Sequence, residues 1–110
     1  MNTRRKGQRT ELKAVQQLKK DGWITYQVKG SLIFNKNVDI FGLFDIFALK
    51  KITQENSPLF TIKRRFIQVK TNRKPDLNPF RHFKKNYGDG LTLIEIWIWK
   101  DRKGFEIISI

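Results

Sequence analysis

The stretch RRFIQVKTNR, residues 64–73, predicts a β-strand whose two faces differ in character. Side chains alternate between faces along a strand, so Phe66, Gln68 and Lys70 share one face and the apolar residues between them take the other. One interpretation is an edge strand whose second face meets water. The alternative is that Gln68 and Lys70 form half of a metal and phosphate site, which other parts of the chain would have to complete.

Length and composition predict one domain with a single hydrophobic core. The chain has 110 residues, of which 39% are hydrophobic, and it contains no cysteine, which excludes disulfides and zinc–thiolate sites. No apolar stretch is long enough to cross a bilayer, and the charged N-terminus leads into a polar helix instead of a secretory signal. We therefore expect a soluble protein of the cytoplasm (the host cytoplasm if the chain is viral) without membrane association.

The charge balance predicts a polyanionic partner. Lysine and arginine number 23 against 10 aspartates and glutamates, which gives a net charge of +13. Nucleic acid is the commonest polyanion inside cells, and the alternatives are a ribosome-like accessory protein or a membrane-surface binder. The excess is greatest in residues 63–85, which hold nine basic residues and one acid, Asp76.

Apolar periodicity predicts two helices. The first spans residues 6–23 and places Leu12, Val15 and Leu18 on one face. The second is short, covers residues 80–87 and follows the breaker cluster KPDLNP.

Runs of β-branched and aromatic residues predict five strands. They cover residues 23–34, 41–50, 61–70, 91–100 and 104–110. The loop TQENSP, residues 53–58, joins the second and third strands as an antiparallel hairpin. The order α-β-β-β-α-β-β predicts an α/β fold: a single domain over residues 1–110, with a mixed central β-sheet flanked by helices and a flexible basic arm at residues 1–6.

Trp97 and Trp99 alternate with isoleucines in the fourth predicted strand. This pattern indicates a strand that is buried on both sides or packed in a dimer. Stacking of the indole rings on exposed nucleic-acid bases is the functional alternative.

Two carboxylates are candidates for the missing half of the site. Asp45 lies inside the apolar run FGLFDIFAL, where a carboxylate is costly to bury unless it is paired or binds a cation. The hairpin sets its strand against the one that carries Gln68 and Lys70, so that the three side chains can converge. Glu11 shares the helix face that packs on the sheet. The alternative is that both carboxylates are exposed, Asp45 at a sheet edge and Glu11 on the helix surface.

Asp39 either adds negative charge to the site or caps a turn, and we favour the turn.

Three motifs carry a resemblance to a known family. KGxxxE at 6–11, FDIFAL at 44–49 and IQVK at 67–70 resemble those of the PD-(D/E)XK nuclease superfamily, in particular its archaeal and phage Holliday-junction-resolvase-like members. The resemblance covers residues 6 to about 85 and implies a restriction-endonuclease-like core.

The resemblance also implies roles for individual residues. Asp45 would bind a metal, Glu11 would make a polar or metal contact, and Lys70 would activate water and stabilise the phosphate. Gln68 departs from the family pattern, because it stands where the family has an acid. It can still offer a neutral carbonyl oxygen to the metal, with one unit less negative charge at the site. A literal Pro-Asp pair ending at Asp76 follows the strand, and we interpret it as coincidental.

The implied activity is that of a Mg²⁺-dependent DNA endonuclease, because a bound Mg²⁺ generates a nucleophile and neutralises charge on the phosphate. We expect Mn²⁺ to substitute, no small-molecule cofactor, structure-selective cleavage and a homodimer, since dimers suit substrates with two equivalent strands. The alternatives are a catalytically weak or inactive DNA-binding module of the same fold and a site-specific restriction or homing-type endonuclease. The expected DNA-backbone contacts are Arg4, Arg5, Lys6, Arg73, Lys74, Arg81, Lys84 and Lys85.

Overall fold

The computed structural model describes residues 3–27 and 40–110, with side chains from residue 7 onward. Within these ranges the chain forms two helices and one five-stranded sheet. In chain order the elements are α1 (Thr3–Lys20), β1 (Ile24–Gln27), β2 (Ile46–Thr53), β3 (Phe60–Thr71), α2 (Asn78–Tyr87), β4 (Thr92–Lys100) and β5 (Gly104–Ser109). The predicted element order and the α/β fold class are confirmed.

The sheet is mixed, and its strand order follows the chain from β1 to β5. Only the β3–β4 pair is parallel among the described strands. The α2 crossover explains this pair, since parallel neighbours need a long connection. β3 is the central strand, so the interpretation of residues 64–73 as an edge strand is wrong. Among the helices described, none is long and apolar enough to cross a membrane.

α1 covers one face of the sheet. Its buried residues Ala14, Val15 and Leu18 pack with apolar side chains of the strands. Those strand residues include Ile46, Ala48, Ile67, Val69 and Trp97. The prediction for Leu12 is wrong, because its side chain is 51% exposed. Thr10 and Ala14 occupy the buried stripe instead, at the four-residue spacing that leads to Leu18.

The other face of the sheet carries a second apolar cluster, formed by side chains of α2, of β4 and of the turn before β2. This second cluster comprises Phe44, Phe80, Phe83, Ile94, Ile96 and Ile98. Because β4 contributes Trp97 to the first cluster and isoleucines to the second, the strand is buried on both sides, as predicted. The burial of Trp97 excludes stacking of its ring on bases.

Three predicted boundaries need correction. α1 begins at Thr3, so residues 3–6 of the expected basic arm continue the helix. β2 begins only at Ile46, because residues 40–44 form a turn closed by backbone hydrogen bonds between Ile40 and Phe44. α2 begins two residues early, since the Asp76 carboxylate accepts the backbone N–H of Asn78 at 3.1 Å.

Two further predictions lie wholly or partly outside the described residues. The predicted strand 23–34 is represented by β1, and its remainder lies in the range 28–39. Asp39 falls in the same range.

Candidate active site

β2 and β3 separate at Asp45 and leave a notch in the sheet. The last pair between them is Ile46 with Ile67, whereas β4 stays paired with β3 as far as Thr71. The edge of β3 from Gln68 to Thr71 therefore has no β2 partner. We call this edge, together with the side chains of Asp45, Gln68 and Lys70, the notch.

At the start of the notch, the Asp45 carboxylate accepts the β3 hydrogen bond that the backbone of a longer β2 would have accepted. Its Oδ2 atom accepts the N–H of Val69 at 2.8 Å, and its own backbone N–H donates to the Ile67 carbonyl at 2.9 Å. A buried backbone N–H left without an acceptor would cost free energy, so this bond explains a carboxylate in an apolar run. Asp45 is thus held at the fork of two strands and not, as predicted, in the middle of one.

Gln68 carries a polar atom without a partner. Its Oε1 atom is buried, and no group of the described residues donates a hydrogen bond to it. Such an acceptor costs on the order of 1–3 kcal/mol, and most buried polar atoms in folded proteins avoid this state. Alternation along β3 directs Gln68 and the half-buried Lys70 to one face, opposite Ile67 and Val69.

Two contacts hold Glu11 near the notch on the α1 side, one made by Glu11 itself and one by the residue before it. Its Oε2 atom accepts a hydrogen bond from Nε2 of Gln27 at 3.0 Å, and Gln27 pairs with Ile46, the neighbour of Asp45. The hydroxyl of the preceding residue, Thr10, is 2.9 Å from that of Thr71 at the far end of the notch. These contacts place Glu11 on the opposite side of β3 from Gln68 and Lys70.

The candidate ligands at the notch suit a hard cation better than a transition metal, because Mg²⁺ prefers oxygen ligands. They are the Asp45 carboxylate and the Gln68 amide oxygen, whereas Glu11 lies on the α1 side of β3 and the Lys70 ammonium is a charge that cannot ligate a cation. No three histidine, aspartate or glutamate side chains of the described residues form a group that could hold a metal. The buried, unpaired oxygen of Gln68 is the feature that fits a cation, and the amide leaves the site less negative than a third carboxylate would.

Five of the predicted DNA-contacting residues are exposed. They are Arg73, Lys74, Arg81, Lys84 and Lys85. The three on α2 also line a cleft of about 520 Å³ beside β5, where Lys84 donates a hydrogen bond to the carbonyl of Ile110. That cleft lies toward the sheet edge opposite β1. The side chains of Arg4, Arg5 and Lys6 lie outside the described residues.

A buried acid in β4 resembles Asp45 in sequence but differs in its surroundings. Glu95 is buried, and its Oε1 atom accepts hydrogen bonds from Arg65 and from the indole N–H of Trp97. The Arg65 guanidinium also lies 5.1 Å and 5.2 Å from the ring centroids of Trp23 and Trp97. These partners neutralise the carboxylate, so we assign Glu95 a role in packing α1 on the sheet.

Sequence reasoning missed three residues that shape the notch: Thr10, Gln27 and Thr71. Thr10 and Thr71 directly adjoin Glu11 and Lys70 in the sequence, but nothing in their local pattern distinguishes them from surface threonines. Gln27 follows the alternation of β1 and carries no other signal.

The fold is similar to that of a solved Holliday junction resolvase. Hjc from Archaeoglobus fulgidus, a Holliday junction resolvase from an archaeal hyperthermophile, matches with a TM-score of 0.57 and 18% sequence identity. The match covers 94% of this chain and 76% of Hjc. No protein-family model and no curated protein match the sequence. At this identity the likeness establishes a resolvase-like fold.

Proposed function

We propose that this protein is a metal-dependent DNA endonuclease that hydrolyses phosphodiester bonds in branched DNA. The observation that carries the proposal is the buried Oε1 atom of Gln68, which accepts no hydrogen bond from the described residues and belongs to the β3 edge beside Asp45. The similarity to the fold of a Holliday junction resolvase and the net charge of +13 support it.

Each side chain of the notch has a role in this proposal. Asp45 is the principal ligand for Mg²⁺, and its hydrogen bond to the Val69 N–H holds the carboxylate in place. Gln68 would add its carbonyl oxygen, and Glu11, which lies on the α1 side, would have to reach the metal across the open edge of β3, directly or through water. The metal supplies an activated water and neutralises charge on the phosphate. The Lys70 ammonium orients the attacking water and the scissile phosphate.

The exposed basic residues after β3 and on α2 hold the DNA backbone in this proposal. Their contacts with phosphates provide affinity and orientation without reading sequence. Cleavage selectivity then depends on DNA shape, as expected for a structure-selective enzyme. A homodimer would bring two notches to two strands of equivalent geometry.

The test is incubation with labelled four-way junction, flap and plain duplex DNA. We expect divalent-dependent cleavage of branched DNA, with Mn²⁺ replacing Mg²⁺ and EDTA abolishing the reaction. Absence of cleavage of every substrate with either metal would contradict the proposal.

Gln68 stands where the family that this chain resembles has an acid. This difference favours a second candidate, a DNA-binding module that has lost activity. The lower negative charge weakens divalent binding relative to a three-carboxylate site. Tight, metal-independent binding to junction DNA without cleavage at any Mg²⁺ or Mn²⁺ concentration would identify this case.

A further inference from the structure

Four aromatic side chains lie on the sheet face that carries Gln68. Tyr26 is the register partner of Phe47, and Phe47 is that of Phe66, so β1, β2 and β3 each place one aromatic residue at neighbouring positions of this face. Phe41, from the turn before β2, extends the row, with its ring centroid 6.0 Å from that of Phe66. We call Tyr26, Phe41, Phe47 and Phe66 the aromatic row.

The two outer members of the row face solvent. Tyr26 is 65% exposed and Phe41 is 70% exposed, whereas Phe47 and Phe66 are half-buried and 4.9 Å apart between ring centroids. α1 covers the opposite face of the sheet. α2 reaches the row through Phe83, which contacts the rings of Phe41 and Phe66.

Phe41 is held in a strained backbone conformation. Its φ angle is 54°, in the left-handed region that bulky residues rarely adopt. Contacts with Phe66 and Phe83 position the ring, yet most of it remains accessible. Strain of this kind persists where the surrounding structure imposes it and is concentrated at ligand-binding sites.

The row lies next to the notch and among positive charges. Phe66 precedes Gln68 by two residues on the same face, about 7 Å along the strand, and the turn that carries Phe41 runs directly into Asp45. Arg64 and Lys70 are on the same face of β3, two and four residues from Phe66, and the Arg64 side chain is 43% exposed. We therefore expect the ligand to have flat, apolar groups, which suit the rings, and an anionic backbone, which the cations attract.

We propose that the aromatic row stacks on unpaired bases of DNA whose backbone lies at the notch, and that it thereby selects DNA with exposed base faces over an intact duplex. The proposal rests on the proposed function for the nature of the substrate. Aromatic side chains stack on any base, but within an intact duplex the base faces are already occupied by neighbouring bases. A second copy of this chain is a poorer occupant of this face, because in a symmetric pair the face would meet itself and set Arg64 and Lys70 opposite the same cations of the copy.

The test compares the affinity of the protein for two DNAs of the same length. One is a duplex with a central run of unpaired bases, and the other is fully paired. The measurement uses fluorescence anisotropy in EDTA, so that binding is separated from cleavage. We expect Tyr26→Ala and Phe41→Ala each to weaken binding to the unpaired DNA about tenfold, with little change for the duplex. Tyr26→Phe should retain the affinity of the original protein.

Phe60→Ala is the matched control, since Phe60 is also an exposed aromatic residue of β3 but lies six residues from Phe66. It should bind both DNAs as the original protein does. A 2-aminopurine base placed in the unpaired run should show fluorescence quenching that Phe41→Ala reduces. Circular dichroism and melting of each variant confirm that the fold is retained.

Three outcomes would overturn the inference. They are equal losses for the two DNAs, an effect of Phe60→Ala as large as that of Phe41→Ala, and dissociation of a dimer by the alanine variants in light scattering. The last would identify the row as an interface between copies. Because all readings are taken in EDTA, loss of the preference does not depend on whether the protein cleaves DNA.

Discussion

The side chain of Asp45 combines a structural and a proposed catalytic role, and substitution can separate them. Asn at this position keeps an oxygen that can accept the Val69 N–H but removes the charge that binds a metal. We expect Asp45→Asn to abolish cleavage while DNA affinity stays within a few-fold, because phosphate contacts elsewhere dominate binding. Lys70→Ala should behave in the same way. Cleavage and binding are measured on one labelled junction.

Asp76→Asn is the control for this experiment. Asp76 forms the literal Pro-Asp pair, and its carboxylate accepts the N–H of Asn78 at the start of α2. Its substitution should leave cleavage intact. Full nuclease activity in purified Asp45→Asn or Lys70→Ala would refute the assignment of the notch.

Gln68 decides between the enzyme and the inactive module. In a metal site, Gln68→Glu adds a charged ligand, so the Mg²⁺ concentration for half-maximal cleavage should fall. In a polar patch without metal, the new carboxylate lies near Asp45 and destabilises the fold by about 1 kcal/mol or more. Melting with and without Mg²⁺ separates the cases, because a bound metal raises the melting temperature of the variant more than that of the original protein. A less stable variant without any Mg²⁺ response would rule out the metal site.

At the scale of elements, the pair of hydroxyls of Thr10 and Thr71 joins α1 to β3 beside the notch. A double-mutant cycle with Thr10→Val and Thr71→Val should give a coupling energy of about 0.5–1.5 kcal/mol in chemical denaturation, as for other hydrogen bonds. Each single variant should also lower the cleavage rate, since the bond sets the position of Glu11. Strictly additive effects on stability would show that the two hydroxyls act independently.

The turn between α2 and β4 contains a carboxylate that links stability to pH. Asp89 accepts the backbone N–H of Leu91 at 2.8 Å and the hydroxyl of Thr92 at 2.9 Å. These bonds, with a smaller contribution from Arg64, hold the pKa of Asp89 below its ordinary value of 3.8. A lowered pKa in the folded state means that the stabilisation is present above pH 3.8 and is lost as the pH falls through the lower, folded-state value.

Asp89→Asn should therefore remove part of the acid sensitivity. We expect the original protein to be the more stable at neutral pH, and the difference in free energy of unfolding to shrink as the solution is acidified below pH 3.8. Urea unfolding of both proteins across this range provides the measurement. A difference that stays constant with pH would exclude Asp89 as the titrating group.

At the scale of the whole molecule, the net charge of +13 predicts the salt dependence of DNA binding. The logarithm of the affinity should fall linearly with the logarithm of salt concentration, with a slope that corresponds to about five or more neutralised phosphates. Removing one exposed contact, for example with Arg81→Ala, should reduce the slope by about one unit. A nearly flat response would indicate a protein partner, or binding by stacking alone.

The sequence by itself determined the element order, the alternation of β3 and the basic character of the surface. These properties are local, because strand alternation and helical periodicity depend on neighbours a few residues away. They also sufficed to select Asp45, Gln68 and Lys70 as candidates. The error at Leu12 has the same origin, since several apolar stripes were compatible with one helix and the sheet selects among them.

Only the tertiary structure decided which groups these residues contact. Asp45 and Glu95 both interrupt apolar runs, yet Arg65 and Trp97 satisfy Glu95, whereas Asp45 lies at the fork where β2 leaves β3. The central place of β3 and the surroundings of the Gln68 oxygen among the described residues likewise depend on which strands become neighbours. The hairpin loop predicted the β2–β3 pair, but the parallel β3–β4 pair joins strands separated by α2, and no local pattern specifies it.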